Sequence, residues 1–113
     1  MTLTPKAQLL GSLEEQVMLA VVRTGSNAYG MNVRRELETV TGRSITIGSV
    51  YATLDRLEAK GLVESCRSPA AEASVSRRLF TVTSAGARSL ALARDTRDRL
   101  WNGVTLRALG LSH

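Results

Sequence analysis

Between Ile45 and Ser65 the chain reads ITIGSVYATLDRLEAKGLVES, and this stretch constrains the fold more than any other. A helix that starts after Gly48 has to stop at Gly61, so it runs to Lys60 and spans only about three turns. At 100° per residue, Val50, Leu54 and Leu57 share one side, while Ser49, Ala52, Thr53, Arg56 and Lys60 are expected on the outward side. A helix of this length is marginal in water by itself. It must therefore lend its apolar side to a core built by other segments, and its polar side is left to meet something else.

Those other segments are readable from their spacing. Ser12 and Glu15 have the form of a capping box, and Leu13, Val17, Ala20 and Val21 recur at helical intervals until Gly25, predicting a helix over about residues 12–24. After the turn GSNAYG, Val33, Leu37 and Val40 predict a second helix over about 29–41, stopped by Gly42. Ser44 to Ile47 reads as a strand stub. Leu62 to Cys66 and Arg77 to Val82 read as two strands of a hairpin, joined by a loop of small residues, SPAAEASVS, at 68–76. Thr83 or Ser84 can cap a last helix whose face carries Leu90, Ala93, Arg97, Leu100 and Val104, with Gly103 fraying its end. The order helix, helix, short strand, helix, hairpin is that of a winged helix-turn-helix, a mainly α fold with a small β-hairpin. Residues 1–83 are expected to form that unit and residues 84–113 a C-terminal helix and tail, within one compact domain.

The charge balance points outward as well. Fifteen Lys and Arg face ten Asp and Glu, giving a formal net charge of +5 and a pI near 10.3, which favours an anionic partner, nucleic acid first. Residues 1–42 hold four basic and four acidic groups, 43–78 six and four, and 79–113 five and two. The excess therefore belongs to the middle and the C-terminal helix. Cys66 is the single cysteine, which rules out an internal disulfide and fits a reducing cytoplasm. No signal-peptide pattern and no stretch of membrane-spanning length is present, so no membrane partner is expected. With one His at the terminus, no Ser-His-Asp or paired-carboxylate pattern and no Gly-rich phosphate loop after a strand, the reading is a non-enzyme without cofactor or metal.

YATLDRLEAKGLVES resembles the core signature of PadR-type transcriptional regulators, in which a Tyr precedes a Leu-x-x-Leu helix and a Gly-Leu-Val/Ile strand start. LLGSLEEQVMLAVV and AYGMNVRREL resemble that family's first helix and the Tyr-Gly opening of its second, and RRLFTVTSAGARSL its wing strand, Thr-x-x-Gly and final-helix start. The likeness covers roughly residues 9 to 92. Ile47 stands where Pro is frequent, and Leu79-Phe80 where paired tyrosines are common. The resemblance implies a homodimeric repressor on a pseudo-palindromic operator of double-stranded DNA, in the compact branch where one C-terminal helix makes the dimer.

Individual residues carry paired readings. Small side chains at Ser49, Ala52 and Thr53 permit close approach to a duplex, and Arg56 is long enough for a guanine edge or a phosphate, with Lys60 beyond it; the same helix could also be merely solvated outside. By the resemblance Tyr51 lies near the DNA backbone; otherwise it is a half-buried ring beneath the wing. Tyr29, opening the second helix, is a phosphate-contact candidate. Arg77 and Arg78 at the wing base, and Arg67 on the other strand, are expected on phosphates, whereas Arg34 and Arg35 are assigned to solvent or to Glu38. Leu90, Ala93, Arg97, Leu100, Trp101 and Val104 are expected at the dimer interface, and Trp101 could instead wall a pocket for a flat aromatic effector. Cys66 is either a plain strand residue or a redox-sensing thiol. Two rivals stand beside DNA reading: a winged helix that docks a protein through residues 49–60, and a protein that is primarily a small-molecule sensor.

Overall fold

Four helices and one hairpin make up the computed structural model, which describes residues 10–68 and 77–111. In chain order they are α1 (Ser12–Thr24), a 3-10 turn (Gly25–Asn27), α2 (Gly30–Thr41), α3 (Ile47–Ala59), β1 (Val63–Arg67), β2 (Arg78–Val82) and α4 (Ser84–Trp101). The core is where α1, α2 and α3 meet over the hairpin. Val17, Met18, Val33, Val50, Leu54 and Leu57 are wholly buried there, and Leu62, Val63 and Phe80 close it from below. Each such side chain contributes about 1.5–3 kcal/mol of burial, which explains how short helices that would fray alone hold together.

Local chemistry corrects several expectations. The first helix spans Ser12–Thr24 as expected, but its cap differs: Gly11 is the N-cap and its N–H donates to Glu14 Oε1 at 3.1 Å, in place of a Ser12–Glu15 box. Glu15 is instead turned to Arg97 on α4. Val40, on the same helical period as the buried Val33 and Leu37, is 59% exposed in the last turn of α2. Most clearly, Ser44–Ile47 is not a strand. The backbone of Ile45 is satisfied by side chains of α2, its carbonyl accepting from Arg34 Nε at 2.8 Å and its N–H donating to Glu38 Oε2 at 3.0 Å, so no strand partner is needed. Thr46 then caps α3 by accepting from Ser49 N at 3.1 Å. The place of a third strand is taken upstream, where Tyr29 bridges Leu79 and Ala28 O accepts from Phe80 N at 3.0 Å.

The hairpin pairs antiparallel in the register Val63–Val82, Ser65–Phe80 and Arg67–Arg78. Ser68 N donates to Arg77 O at 2.8 Å, and beyond it the expected loose tip, residues 69–76, lies outside the described residues. At the other end the hairpin grows directly out of α3. Leu62 N donates to Leu57 O and Gly61 N to Glu58 O, both at 2.9 Å, with Gly61 at φ +76°, which is a Schellman stop. Thr83 then locks the base: its N–H reaches Leu62 O at 3.0 Å, its hydroxyl donates to Gly61 O at 2.7 Å, and the same oxygen accepts from Gly86 N at 3.0 Å. The Thr-x-x-Gly of the sequence is thereby explained. A Cβ on Gly86 would lie 2.1 Å from the carbonyl oxygen of Leu62, so only glycine lets α4 sit this close to the end of the recognition segment.

One carboxylate joins α1 to α3. Glu14, 8% exposed, accepts from Lys60 Nζ at 2.7 Å, and Arg56 Nε stands 4.0 Å from the same oxygen. The hydrogen bond from Lys60 holds the Glu14 carboxyl below the ordinary carboxylate range, against the opposing effect of its burial.

Two outcomes follow for stability. Gly86→Ala, inside a helix where Ala is ordinarily favoured by about 1 kcal/mol, should here destabilise by about 1–3 kcal/mol because the obstructing atom is backbone. A urea midpoint that rises instead of falling would sink the close-contact argument. For Glu14, the folded pKa lies below the unfolded value of about 4.3, so the stability it contributes is complete above that value and is lost as pH falls through the folded pKa. Glu14→Gln should therefore be less stable than the parent at neutral pH, with the gap shrinking as the pH is lowered from about 5; a gap that stays constant with pH means the ion pair contributes nothing.

Candidate nucleic-acid interface

The outward side of α3 presents Ser49, Ala52, Asp55, Arg56, Ala59 and Lys60 to solvent. Thr53, expected among them, is 1% exposed. The helical wheel accounts for the correction: Thr53 is only about 60° round from Val50, and so belongs to the buried edge. Its hydroxyl donates to Ser49 O at 2.8 Å and accepts from Arg56 Nη2 at 3.3 Å. Thr53 thus steers Arg56 from below instead of standing on the surface itself.

Neighbouring cations divide into two kinds. Lys60 is held by Glu14. Arg78 is held more firmly: Nη1 is 3.1 Å from Asp55 Oδ1, Nη2 is 2.7 Å from Glu58 Oε1, and its guanidinium lies 4.8 Å from the Phe80 ring centre. Glu58 also accepts from Ser65 Oγ at 2.9 Å, so the acidic groups that the sequence left among the basic ones on α3 serve to fasten the wing to the helix. Arg35 and Arg77 are of the second kind, with no carboxylate partner among the described residues. Arg77 stacks over the Tyr29 ring at 5.2 Å, and Arg35 Nη1 donates to Asn32 Oδ1 at 3.0 Å. Arg67 is exposed on β1 directly opposite Arg78.

An open cleft of about 410 Å³ runs between α2, α3 and the wing, lined by Tyr29, Met31, Asn32, Arg35, Tyr51, Arg77 and Arg78. Tyr51 is half-buried on its wall, its ring tilted at 56° to Phe80 with centroids 6.5 Å apart. A Cβ on Gly30 would come within 2.4 Å of that ring, so the glycine of the Tyr-Gly pair makes room for the tyrosine of the next helix. Tyr29 Oη donates to Ser68 Oγ at 3.3 Å and ties α2 to the wing. The packing reading of Tyr51 describes this geometry: the ring is half-buried against Phe80 and Gly30, at the wall of the cleft. Asn32 drew no reading from the sequence, and Arg35, assigned there to solvent or to Glu38, is exposed; their spacing of three residues places them on one face of α2. Arg34, by contrast, is turned to Glu38 and the Ile45 carbonyl, as its assignment to Glu38 anticipated.

The proposed dimer residues spread along α4. Leu90 leans on the core, Ala93 is half-buried, and Arg97 bonds Glu15 of the same chain, while Leu100 is 72% and Trp101 52% exposed. The helix ends at Trp101, and Val104 follows in a turn. Trp101 borders a shallow depression with Asp98, Arg99, Asn102 and Gly103. Cys66 is exposed on β1. Among the described residues no cluster of metal-ligand side chains occurs, and no helix is long and apolar enough to cross a membrane.

The same architecture occurs in solved structures. A PadR-like transcription factor from Bacteroides fragilis matches with a TM-score of 0.70 at 21% identity, over 81% of this chain and 85% of that one. A PadR-like transcriptional regulator from Bacillus cereus matches with a TM-score of 0.66 at 20% identity, over 81% and 86%. F93 from STIV, a winged-helix DNA-binding protein, matches with a TM-score of 0.62 at 14% identity, over 86% and 96%. At these identities the likeness establishes the winged-helix fold. No curated protein sequence matches the chain. The family profile described as "Transcriptional regulator PadR-like family" matches residues 18–92, from the middle of α1 into α4, and the chain therefore belongs to the PadR-like family of transcriptional regulators.

Proposed function

We propose that this chain is a homodimeric, sequence-specific repressor that acts in the cytoplasm on a pseudo-palindromic site of double-stranded DNA. The observation that carries the reading is the outward side of α3, where Arg56 is aimed by Thr53 among the small residues Ser49 and Ala52, next to a wing that carries the exposed Arg67 and Arg77. A helix with a small-residue approach and one long bidentate donor suits base reading in the major groove, and flanking guanidiniums suit phosphates. In this reading Tyr29 and Tyr51 border the backbone, and Lys60 adds positive potential while remaining bonded to Glu14. Arg78 enters as the strut of the wing, because a guanidinium already shared by Asp55 and Glu58 has little left for a phosphate. Asp55 and Glu58, which kept protein docking through α3 in view, are occupied inside the chain, and this favours DNA.

Residues 1–83 would read the duplex and 84–113 would join two copies. Exposed Leu92, Leu100, Trp101 and Val104 support that division, since a run of apolar groups beyond the core is normally covered by a partner. A two-fold pair would set its recognition helices about one DNA turn, roughly 34 Å, apart. The depression beside Trp101 has a single wall, and a flat aromatic effector would need the second copy to supply the other. No cofactor and no catalytic step enters this function.

Arg56→Ala should cost about 1–3 kcal/mol on the preferred duplex and less on a random one, measured by titration at fixed salt. Equal losses on both would move Arg56 from base to phosphate. Leu100→Asp combined with Trp101→Ala should leave a folded monomer whose binding is weak and nearly non-specific. Sedimentation decides that point: a variant that stays dimeric with full affinity puts the dimer contact elsewhere than α4.

A further inference from the structure

We infer that the cleft between α2 and the wing is the seat of a phosphodiester group of the duplex backbone, gripped from the two sides by Arg35 of α2 and Arg77 of the wing, with the Tyr51 hydroxyl as a third donor. The inference rests on the DNA-reading function above and adds to it a ligand group and a residue, Arg35, that the sequence assigned to solvent or to an ion pair.

Three observations converge on it. First, the cations of this region are not equivalent. Glu14 neutralises Lys60, and Asp55 with Glu58 neutralises Arg78, yet among the described residues Arg35 and Arg77 meet only uncharged groups, the Asn32 amide oxygen and the Tyr29 ring. Both contacts orient a guanidinium without cancelling its charge, leaving most of its five donors available. Second, Tyr51 lines the same cleft and its hydroxyl donates to no described residue, and its position is set by packing, because the end of the ring rests on Gly30 where any Cβ would collide. Third, Tyr29 and Asn32, which flank these groups, are themselves anchored to Ser68 and to the Asn27 carbonyl, so the walls are held in place before any ligand arrives. Two guanidiniums and a phenol around an open cleft of about 410 Å³ match a tetrahedral anion with two free oxygens. From α3 the cleft takes Tyr51, so a phosphate seated there would lie beside the helix, as a backbone group flanking a base-reading helix does.

The test compares duplex binding by the full chain across a salt series. Each lost phosphate contact should flatten the plot of log affinity against log salt by about one unit, so Arg35→Ala and Arg77→Ala should each do so, the double variant by about two, and all should weaken preferred and random duplexes alike. Arg35→Lys, keeping the charge, should retain most of the slope. Thermal melting of each variant identifies any that fails to fold, and Tyr51→Phe, which keeps the ring against Gly30 and removes only the hydroxyl, should weaken binding to preferred and random duplexes alike; unchanged affinity removes the phenol from the clamp. If Arg35→Ala leaves affinity and slope unchanged while Arg56→Ala still reduces discrimination, the chain reads DNA and the clamp is wrong. If the parent shows no salt-dependent duplex binding at all, the DNA reading itself fails. Inorganic phosphate titrated against the protein alone forms the last arm. Binding of it at micromolar level, abolished by Arg35→Ala, would make this a site for a free anion and overturn the assignment to the duplex.

Discussion

Leu62 carries more of this structure than any other residue. Its N–H closes the Schellman stop of α3, its carbonyl accepts from Thr83 at the base of the wing, its side chain is 2% exposed in the core, and its oxygen is the atom against which Gly86 of α4 rests. Recognition helix, wing and C-terminal helix thus share one backbone unit. In a domain with so little spare core, geometry of this kind transmits position: α4 cannot shift along its axis without moving the end of α3. A regulator whose last helix joins two copies would in this way fix not only the distance between its recognition helices but their tilt.

Electrostatics divides labour along the same surface. The net charge of +5 invites the picture of a uniformly basic face, but the carboxylates are placed where they consume particular cations. Glu14 ties Lys60 to α1, and Asp55 with Glu58 ties Arg78 to α3, so charges that could have met phosphate brace the helix and the wing instead. What remains facing outward is a small set of guanidiniums: Arg35 held by an amide, Arg77 by a ring, and Arg56 by the Thr53 hydroxyl at the edge of Glu14's reach. The exposed pairs of Arg78 contribute little to stability, so their gain is one of geometry, whereas Glu14 is buried and its bond to Lys60 contributes to the fold.

The two close glycine contacts make the same point from the packing side. Gly30 under Tyr51 and Gly86 against Leu62 each sit where a methyl group has no room, one at the cleft and one behind it. In the sequence both belong to short motifs, Tyr-Gly and Thr-x-x-Gly, whose meaning is spatial: each allows two segments that are distant along the chain to approach within contact. The supports of the surface are therefore as specific as the surface itself.

The sequence by itself determined the four helices and the hairpin, the core stripes of α1 and α3, the stops at Gly42 and Gly61, a cap at Thr83 or Ser84 and the likeness to PadR-type regulators, because each of these is written in spacing of a few residues. It misread what depends on distant partners. Ser44–Ile47 has strand-like residues, but α2's Arg34 and Glu38 satisfy the backbone of Ile45 and Ile47 already belongs to α3, so no strand forms. Thr53 is polar yet buried, since its neighbours on the wheel are core. Val40 continues an apolar period past the reach of the elements that would cover it. Whether a given arginine faces outward was likewise invisible, because a guanidinium at 34, 35, 77 or 78 looks the same in one dimension. The tertiary structure alone decided it, by where the folded chain set the carboxylates: Glu38 meets Arg34, Asp55 and Glu58 meet Arg78, and none among the described residues meets Arg35 or Arg77.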